Sequence, residues 1–257
     1  MKIGVCTSID NAPLLAQHGY DYIELGMAGV CALDQAAFAE LCAKADASPV
    51  PVEACNSFVP ASVPLTGPAV DDAKTCAYLR LAAERAARLG VKVIVFGSGG
   101  ARQIPEGFHR HAAQDQLARF LTLASDILGE VGVEVAIEPL RPAECNVINR
   151  VGDGLRLAQR VCRPNIGCLA DLYHMAEQDE DMSGILAAGP MMKHCHIANP
   201  VGRVYPKAGD GSQGDYSAFF GALEAVGYDA RISIEGGAGD LAADLADARA
   251  VFARYGK

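Results

Sequence analysis

The 257-residue sequence predicts an α/β fold in which eight strand–helix units close into one (β/α)8 barrel, the TIM-barrel architecture. Short β-branched apolar runs alternate with longer stretches of helical periodicity, and this alternation repeats eight times. No proline-rich linker or shift in composition divides the chain, so we expect a single domain over residues 1–257. A doubly wound open sheet is the alternative, but the first strand is followed by CTSIDNAP rather than a glycine-rich turn.

The predicted strands are rich in Val, Ile, Ala and Cys, as expected where helices cover a parallel sheet. In chain order they are KIGVCT, DYIELGM, PVEACNS, VKVIVFGS, VEVAIEPL, IGCLADLYH, KHCHIAN and RISIEGG. The helices predicted between and after them cover residues 11–18, 34–47, 70–89, 107–130, 151–162, 182–189, 215–226 and 240–255. Gly90, Gly132 and Gly227 follow three of these helices, where a left-handed residue commonly ends a helix.

The composition narrows the classes of ligand and location. A net charge of -9 disfavours nucleic-acid binding, which normally needs a basic face, and favours small molecules. The nine cysteines are dispersed without a C-x-x-C pair, as is typical of small core residues in a reducing compartment. The sequence shows neither a signal-peptide pattern nor an apolar run long enough to span a membrane, so we expect a cytoplasmic protein. A homo-oligomer is one state that the sequence leaves open.

Four late strands each end on a residue that can bind a metal: Glu138, Asp171, His196 and Glu235. In a barrel of this type the carboxyl ends of the strands carry the chemistry. A single strand-end carboxylate is more often a helix cap or part of a salt bridge. Four such residues on consecutive strands would instead converge, and their carboxylates would repel one another unless a cation lay between them.

Three carboxylates and one imidazole form a hard, oxygen-rich donor set. This set favours Mn²⁺ or Mg²⁺, with Co²⁺ or Zn²⁺ as alternatives, and leaves two positions for substrate oxygens. His194 lies two residues before His196 and should also point inward, deeper in the barrel. It is either a core residue or a support for the metal site.

Three further polar residues follow the proposed ligands: Glu144, His174 and Arg203. Each could be an ordinary solvated loop residue. Because one recurs three to seven residues beyond each of three ligands, we predict that they surround the same site.

The early strands give weaker signals. Glu24, Glu53 and Asn56 are expected at the same end of the barrel as the proposed ligands. The loop GSGGARQIP resembles a phosphate cradle only loosely, with glycine amides and Arg102 as anion-binding groups. A plain flexible loop is the favoured interpretation.

The motifs IEPLRPAECNVIN, DLYHM, HCHIANPVGR and GDGSQGDYSAFFGALEAVGYDARISIE together resemble those of the xylose-isomerase-like TIM barrels. This sugar phosphate isomerase/epimerase family includes the ketose 3-epimerases and, more distantly, endonuclease IV. The resemblance implies a divalent ion, usually Mn²⁺, held by Glu138, Asp171, His196 and Glu235. It implies that Glu138 and Glu235 also move the proton, and that Glu144, His174 and Arg203 contact the substrate.

The sequence departs from the ketose 3-epimerase pattern in three places. It reads EPLRPAE where those enzymes have an Asn-Arg pair between their glutamates, Arg203 is one residue farther from the histidine, and there is no tryptophan to form a sugar-binding wall. Because of these departures, the sequence does not determine which sugar is the substrate.

The function expected from these residues is a metal-dependent isomerase or epimerase of carbohydrate metabolism, which removes a proton next to a sugar carbonyl. A dehydratase or lyase acting on a sugar or cyclitol would use the same first step and is the main alternative. An endonuclease IV-like phosphodiesterase would need several metals and many histidines, whereas the chain has six His and an acidic balance. A non-catalytic sugar-binding barrel is the least favoured interpretation.

Overall fold

The computed structural model describes residues 1–207 and 216–256. Its centre is a closed barrel of eight parallel strands in chain order, and β8 pairs with β1 to complete the cylinder. The strands are β1 (Lys2–Cys6), β2 (Tyr22–Gly26), β3 (Val52–Asn56), β4 (Val93–Phe96), β5 (Glu134–Ile137), β6 (Ile166–Asp171), β7 (Met192–Ile197) and β8 (Arg231–Ile234). The predicted (β/α)8 barrel is confirmed.

Helices follow the strands around the outside of the barrel. They are α1 (Ala12–Gln17), α2 (Met27–Ala32), α3 (Gln35–Asp46), α4 (Asp72–Leu89), α5 (Gly99–Arg102), α6 (Arg110–Gly129), α7 (Val151–Val161), α8 (Leu172–Ala176), α9 (Ser183–Ala188), α10 (Ser217–Ala225) and α11 (Leu241–Tyr255). Short 3-10 turns precede α1 and β7, at Ile9–Asn11 and Gly189–Met191. Among the described residues, no helix is both long and apolar enough to cross a membrane.

The predicted strands are all present but shorter than expected at their carboxyl ends. The clearest correction concerns IGCLADLYH: β6 ends at Asp171, and the residues that follow form α8. The Asp171 side chain accepts hydrogen bonds from the backbone N–H groups of Tyr173 (2.7 Å) and His174 (3.4 Å), so it caps a helix at once. Residue 215, the predicted start of the seventh helix, and residues 209–215 of the family motif lie outside the described residues, as does residue 257.

The predicted left-handed glycines are confirmed. Gly90 ends α4 with φ of 80°, and Gly132 and Gly227 adopt φ of 72° and 66° after α6 and α10. A residue with a Cβ would be strained in this conformation, so these three glycines let the chain turn back towards the next strand.

The apolar core has two layers. One fills the barrel interior and is formed by Tyr22, Ala54, Val93, Val95, Ala136 and Leu169. The other lies between the strands and the surrounding helices. A Cβ on Gly4 would lie 2.3 Å from the Tyr22 ring, so a glycine in β1 makes room for the largest side chain of the interior.

Glu53 lies at the opposite end of the barrel from the one predicted. It is the second residue of β3, where its carboxylate binds Lys2 Nζ (2.5 Å) and Arg231 Nε (2.6 Å) at the amino ends of β1 and β8. The strand continues for three more residues before it reaches the carboxyl end at Asn56. The expectation that Glu53 joins the functional end is therefore wrong.

Candidate metal and substrate site

Four side chains converge at the carboxyl ends of β5 to β8. Glu138, Asp171, His196 and Glu235 each offer one ligand atom, and these four atoms all lie within 4.8 Å of one another. Asp171 and His196 are register partners on β6 and β7, while the two glutamates directly follow β5 and β8. The structure thus brings together the four residues that the sequence placed at neighbouring strand ends. Their role as metal ligands stays a prediction.

The His196 ring points one nitrogen into this cluster and the other away from it. Nδ1 lies 3.1 Å from Glu138 Oε1 and 3.4 Å from Glu235 Oε2. Nε2 lies 2.9 Å from Oε1 of Glu24, on the far side of the ring. Burial lowers the pKa of His196, but the surrounding carboxylates of Glu24 and Glu235 reverse this and hold it well above its ordinary value.

One Asp171 oxygen in the cluster has basic groups nearby but no hydrogen bond in the described part of the chain: Oδ2 lies 3.8 Å from His174 Nε2 and 4.0 Å from Arg203 Nη2. Asp171 Oδ1 caps α8, but Asp171 Oδ2 is buried and has no hydrogen-bond partner among the described residues. Burial and the negative charge of Glu235 raise the pKa of Asp171 to about 6. The same two causes raise the pKa of Glu138. Protein groups alone therefore leave an excess of negative charge here.

Glu235 is held from both sides. Asn56 Nδ2 donates a hydrogen bond to Oε1 (3.0 Å), and Arg203 Nη2 donates one to Oε2 (2.7 Å). Burial raises the pKa of Glu235, but the positive charges of His196 and Arg203 outweigh it and lower that pKa to about 2. Asn56 was expected at this end of the barrel, and its contact with Glu235 agrees with that expectation.

These residues fit a divalent cation. Buried carboxylates with raised pKa values, together with an unpartnered Asp171 oxygen, are groups that a positive ion would satisfy. Three carboxylates and one imidazole suit an ion that prefers oxygen and nitrogen donors. Among the described residues, Cys6 is the only thiol that joins a comparable cluster, with Glu24 and His196.

The three predicted substrate contacts lie beside the cluster. Arg203, which has φ of 49°, places its guanidinium 4.8 Å from the centre of the Tyr173 ring. Its Nη1 lies 3.7 Å from Glu144 Oε1, and its Nη2 lies 3.5 Å from His174 Nε2. His174 is buried, and Glu144 also accepts a hydrogen bond from Arg141 Nε (2.8 Å). The position of these side chains agrees with the prediction, whereas their contact with a substrate is untested.

A cavity of about 440 Å³ opens over the site. Its polar wall includes Glu138, Glu144, Arg203 and Glu235. Small residues from the segments that follow β2, β3 and β4 also line the cavity, at Ala28, Ser57, Pro60, Ala61 and 97–100. The volume is within the range of small-molecule sites.

The interpretation of GSGGAR as a phosphate cradle with Arg102 as an anion-binding group is wrong, whereas the flexibility of this segment stays a prediction. Arg102 is completely buried and donates two hydrogen bonds of 2.7 Å, to the backbone carbonyls of Phe96 and Glu138. The glycines before it form α5, and a Cβ on Gly97 would lie 2.1 Å from Glu138 Oε2. This loop therefore supports Glu138 and has no free cation to offer an anion.

Sequence reasoning assigned no role to Glu24, which is 1% exposed and bonded to two histidines. A glutamate within the apolar run YIELGM was the available signal, because a carboxylate is rarely buried without a partner. His194, which the sequence left as either a core residue or a support, is one of these partners, with its Nε2 at 2.8 Å.

Over residues 12–255 the sequence matches the family described as Xylose isomerase-like TIM barrel, and the chain belongs to that family. A ketose 3-epimerase from Arthrobacter globiformis is 34% identical over 112 residues, which span 43% of this chain and 37% of that enzyme. An L-ribulose 3-epimerase from Methylomonas sp. (strain DH-1) is 27% identical over 231 residues, spanning 86% of this chain and 75% of the other. These relatives support the prediction of an isomerase or epimerase.

Solved structures share the fold along almost the whole chain. A D-psicose 3-epimerase crystallised in the presence of D-fructose superposes with a TM-score of 0.84 at 18% identity, covering 99% of this chain and 98% of that one. A 3-keto-D-glucoside 4-epimerase from E. coli gives a TM-score of 0.82 at 19% identity, with 99% of both chains covered. At such identities the similarity establishes the architecture.

Proposed function

We propose that the chain is a divalent-metal-dependent sugar isomerase or epimerase that moves a proton on the carbon next to a sugar carbonyl. The observation that carries this proposal is the convergence of two glutamates, one aspartate and one histidine, of which the two glutamates line a cavity. The relatives named as ketose 3-epimerases point to the same class of reaction.

The residues that would hold the ion are Glu138, Asp171, His196 and Glu235. We propose Mn²⁺ as the ion, with Mg²⁺, Co²⁺ or Zn²⁺ as alternatives of similar donor preference. When bound, a divalent ion supplies Lewis acidity that polarises a carbonyl and acidifies the neighbouring C–H bond.

Glu138 and Glu235 are the proposed acid–base pair. They follow β5 and β8, which are not adjacent strands, so their carboxylates reach the cavity from different directions. One carboxylate removes the proton from one face of the substrate carbon, and the other returns a proton to the opposite face. Asn56 and Arg203 hold both oxygens of Glu235, which keeps this group ionised and oriented for proton removal.

The proposed substrate is a small sugar without a phosphate group. Glu144 and Arg203 line the cavity, and the buried His174 lies 3.5 Å from Arg203. These three side chains would bind the hydroxyl groups of the sugar. Among the described residues that line the cavity, Arg203 is the one cationic side chain, and it is already bonded to Glu235, so a phosphate would find no free cation there. Arg102, the other cation considered, donates to backbone carbonyls.

We also propose that the protein works in the cytoplasm. All nine cysteines lie in the described part of the chain, and none forms a disulfide, which fits a reducing compartment. Association into homo-oligomers stays a prediction.

Hydrogen exchange tests the proposed reaction directly. The full chain is incubated with Mn²⁺ in D₂O and with a panel of ketoses and ketocyclitols, and the products are followed by NMR. The proposal expects deuterium on the carbon next to the carbonyl and the appearance of an isomer or epimer. A product with a new double bond or a cleaved fragment would instead identify a dehydratase or lyase. No exchange with any compound would contradict the proposed proton transfer.

A further inference from the structure

A buried carboxylate lies directly behind the histidine of the metal site. Glu24 sits in β2, and its Oε1 is 2.9 Å from His196 Nε2. Its Oε2 is 2.8 Å from His194 Nε2 and accepts a hydrogen bond from Ser233 Oγ at 2.5 Å. None of these side chains is exposed by more than 1%. Glu24 therefore links three strands inside the barrel, and each of these partners is a group that can donate a proton.

The chemistry of the carboxylate decides where the imidazole protons lie. An ionised carboxylate only accepts hydrogen bonds, so both histidines must carry a proton on Nε2. For His194 the rest of the ring agrees with this assignment, because its Nδ1 is buried with no partner among the described residues. An unprotonated nitrogen fits that position better than an unpaired N–H group.

The same hydrogen-bond rule also fixes a proton on Nε2 of His196. With a proton on Nε2, His196 turns Nδ1 towards Glu138 Oε1 and Glu235 Oε2, at 3.1 and 3.4 Å. Without a cation, those carboxylates also hold a proton on Nδ1; a cation bound among them would displace this proton and leave an electron pair directed into the cluster, because Glu24 retains the proton on Nε2. A ring with its proton on Nδ1 would block the cluster with an N–H group.

Glu24 is itself held in place by a second layer of hydrogen bonds. Ser233 Oγ, which donates to Glu24, lies 2.7 Å from the Tyr22 hydroxyl. Tyr22 is in turn the large side chain of the barrel interior, where Gly4 makes room for it. The position of the carboxylate is thus determined by the packed core rather than by the loops of the site.

We propose that Glu24 is a positioning residue for the metal site: it fixes His196 in the tautomer that presents Nδ1 to a divalent ion. This inference rests on the proposed function, because it assumes that His196 is a ligand. Carboxylates in such a role orient the ring and increase its basicity, and their loss typically weakens metal binding about 10- to 100-fold.

The variant Glu24→Gln tests this role with little change in shape. If its amide nitrogen faces His196, the ring must accept on Nε2 and protonate Nδ1, which removes the electron pair from the cluster. If the amide oxygen faces His196, the negative charge that increases the basicity of the ring is lost. Either orientation weakens the site.

Glu53→Gln is the matched control. It makes the same substitution in the adjacent strand, where Glu53 binds Lys2 and Arg231 at the opposite end of the barrel. Any effect of a glutamine on folding in general appears in this variant as well.

The experiment is a titration of the full chain with Mn²⁺ alone, in which electron paramagnetic resonance measures the free ion. We expect Glu24→Gln to bind Mn²⁺ about 10- to 100-fold more weakly than the wild type, and Glu53→Gln to bind it as the wild type does. Equal affinity of Glu24→Gln and the wild type would overturn the inference while leaving the proposed function intact.

A second measurement needs no variant, in case Glu24→Gln fails to fold. In the wild-type chain loaded with diamagnetic Zn²⁺, ¹⁵N NMR of the histidine rings reports which nitrogen carries the proton. We expect His196 to carry it on Nε2, and a proton on Nδ1 would overturn the inference. Failure of sugar turnover with both results as expected would count against the proposed reaction alone.

Discussion

The two ends of the barrel use carboxylates in opposite ways. At the amino end, Glu53 is paired with Lys2 and Arg231, and Glu134 is paired with Lys193 at 2.6 Å. At the carboxyl end, three carboxylates converge around one histidine, and Asp171 Oδ2 has no hydrogen-bond partner among the described residues.

The pKa values reflect this difference. Burial raises the pKa of Glu53, but its hydrogen bonds from Lys2 and Arg231 outweigh burial and lower it. Burial and repulsion from Glu235 raise the pKa of Asp171 to about 6. Charge is thus balanced within the protein at the amino end, while the carboxyl end retains an excess that an external cation can balance.

The largest difference between the two ends should appear in catalysis. Glu235→Gln removes a proposed proton acceptor but keeps a side chain of the same shape, so kcat should fall about 10²- to 10⁴-fold. Glu53→Gln should keep its activity, because that residue lies at the other end of the barrel. Turnover is measured by NMR on the ketose that shows exchange in D₂O. Unchanged turnover in Glu235→Gln with metal bound would exclude the two-base scheme.

The stabilisation of the fold by a bound metal should depend on residues at the carboxyl end of the barrel and not on those at the amino end. Adding Mn²⁺ to the chelator-treated wild type at 100 times its dissociation constant should stabilise the fold by about 2.7 kcal/mol. Glu53→Gln should show the same gain. Asp171→Asn should lose most of it, because the side chain would offer a neutral oxygen in place of a carboxylate. Thermal denaturation with and without Mn²⁺ measures this, and an equal gain in Asp171→Asn would rule out Asp171 as a ligand.

Without metal, neutralising a carboxylate should have opposite effects at the two ends. Asp171→Asn keeps an oxygen that can cap α8 and relieves repulsion from Glu235, so at pH 7 the free energy of unfolding should rise by about 1–3 kcal/mol. Glu53→Gln removes two ion pairs from a nearly buried group, so the same quantity should fall by about 1–2 kcal/mol.

The pH dependence of these two effects should also differ. The raised pKa of Asp171 means that its ionised form destabilises the metal-free fold above about pH 6, so the gain in Asp171→Asn should shrink as the pH falls from 6 to 4. The lowered pKa of Glu53 means that its ionised form stabilises the fold, and this contribution is lost only at more acidic pH. Urea denaturation in the presence of a chelator, repeated across this range, measures both. The same sign for the two variants at pH 7 would contradict the contrast.

The smallest effect is expected at the rim of the cavity. Glu144→Gln should raise KM about 2- to 10-fold, the range for one hydrogen bond, because Glu144 is proposed to bind a substrate hydroxyl. Its affinity for Mn²⁺ should equal that of the wild type, since Glu144 contacts Arg141 and Arg203. Steady-state kinetics measure the effect on substrate binding, and an Mn²⁺ titration measures the effect on metal binding. A large loss of Mn²⁺ affinity would show that Glu144 supports metal binding and not substrate binding.

The same contrast explains what the sequence could and could not predict. The eight strands were predictable because each is a short apolar run, and glycines such as Gly90 mark helix ends through their left-handed conformation. Helices α2 and α8 were missed because each begins directly after a strand, so that their first residues were assigned to the strand. Helix α5 has only four residues and lies in a glycine-rich segment that was assigned to a loop. In α8 the determining feature is a hydrogen bond from the backbone to Asp171, which has no periodic signature.

The candidate site was predictable where a polar residue ended a strand. Glu53 was misplaced because it begins its strand, three residues before Asn56 reaches the carboxyl end. The contact of Glu24 with His194 joins residues 170 positions apart and depends on the closure of the barrel. Arg102 was misread because its partners are backbone carbonyls, which no residue pattern reveals.

The most direct test of the account is the position of a bound ion in a crystal of the full chain grown with Mn²⁺. Anomalous diffraction near the manganese absorption edge locates the ion without reference to the expected ligands. The account predicts one strong peak within coordination distance of Glu138, Asp171, His196 and Glu235. A peak elsewhere would contradict this prediction. A crystal at saturating Mn²⁺ that shows no peak, with Arg203 still bound to Glu235, would contradict it as well.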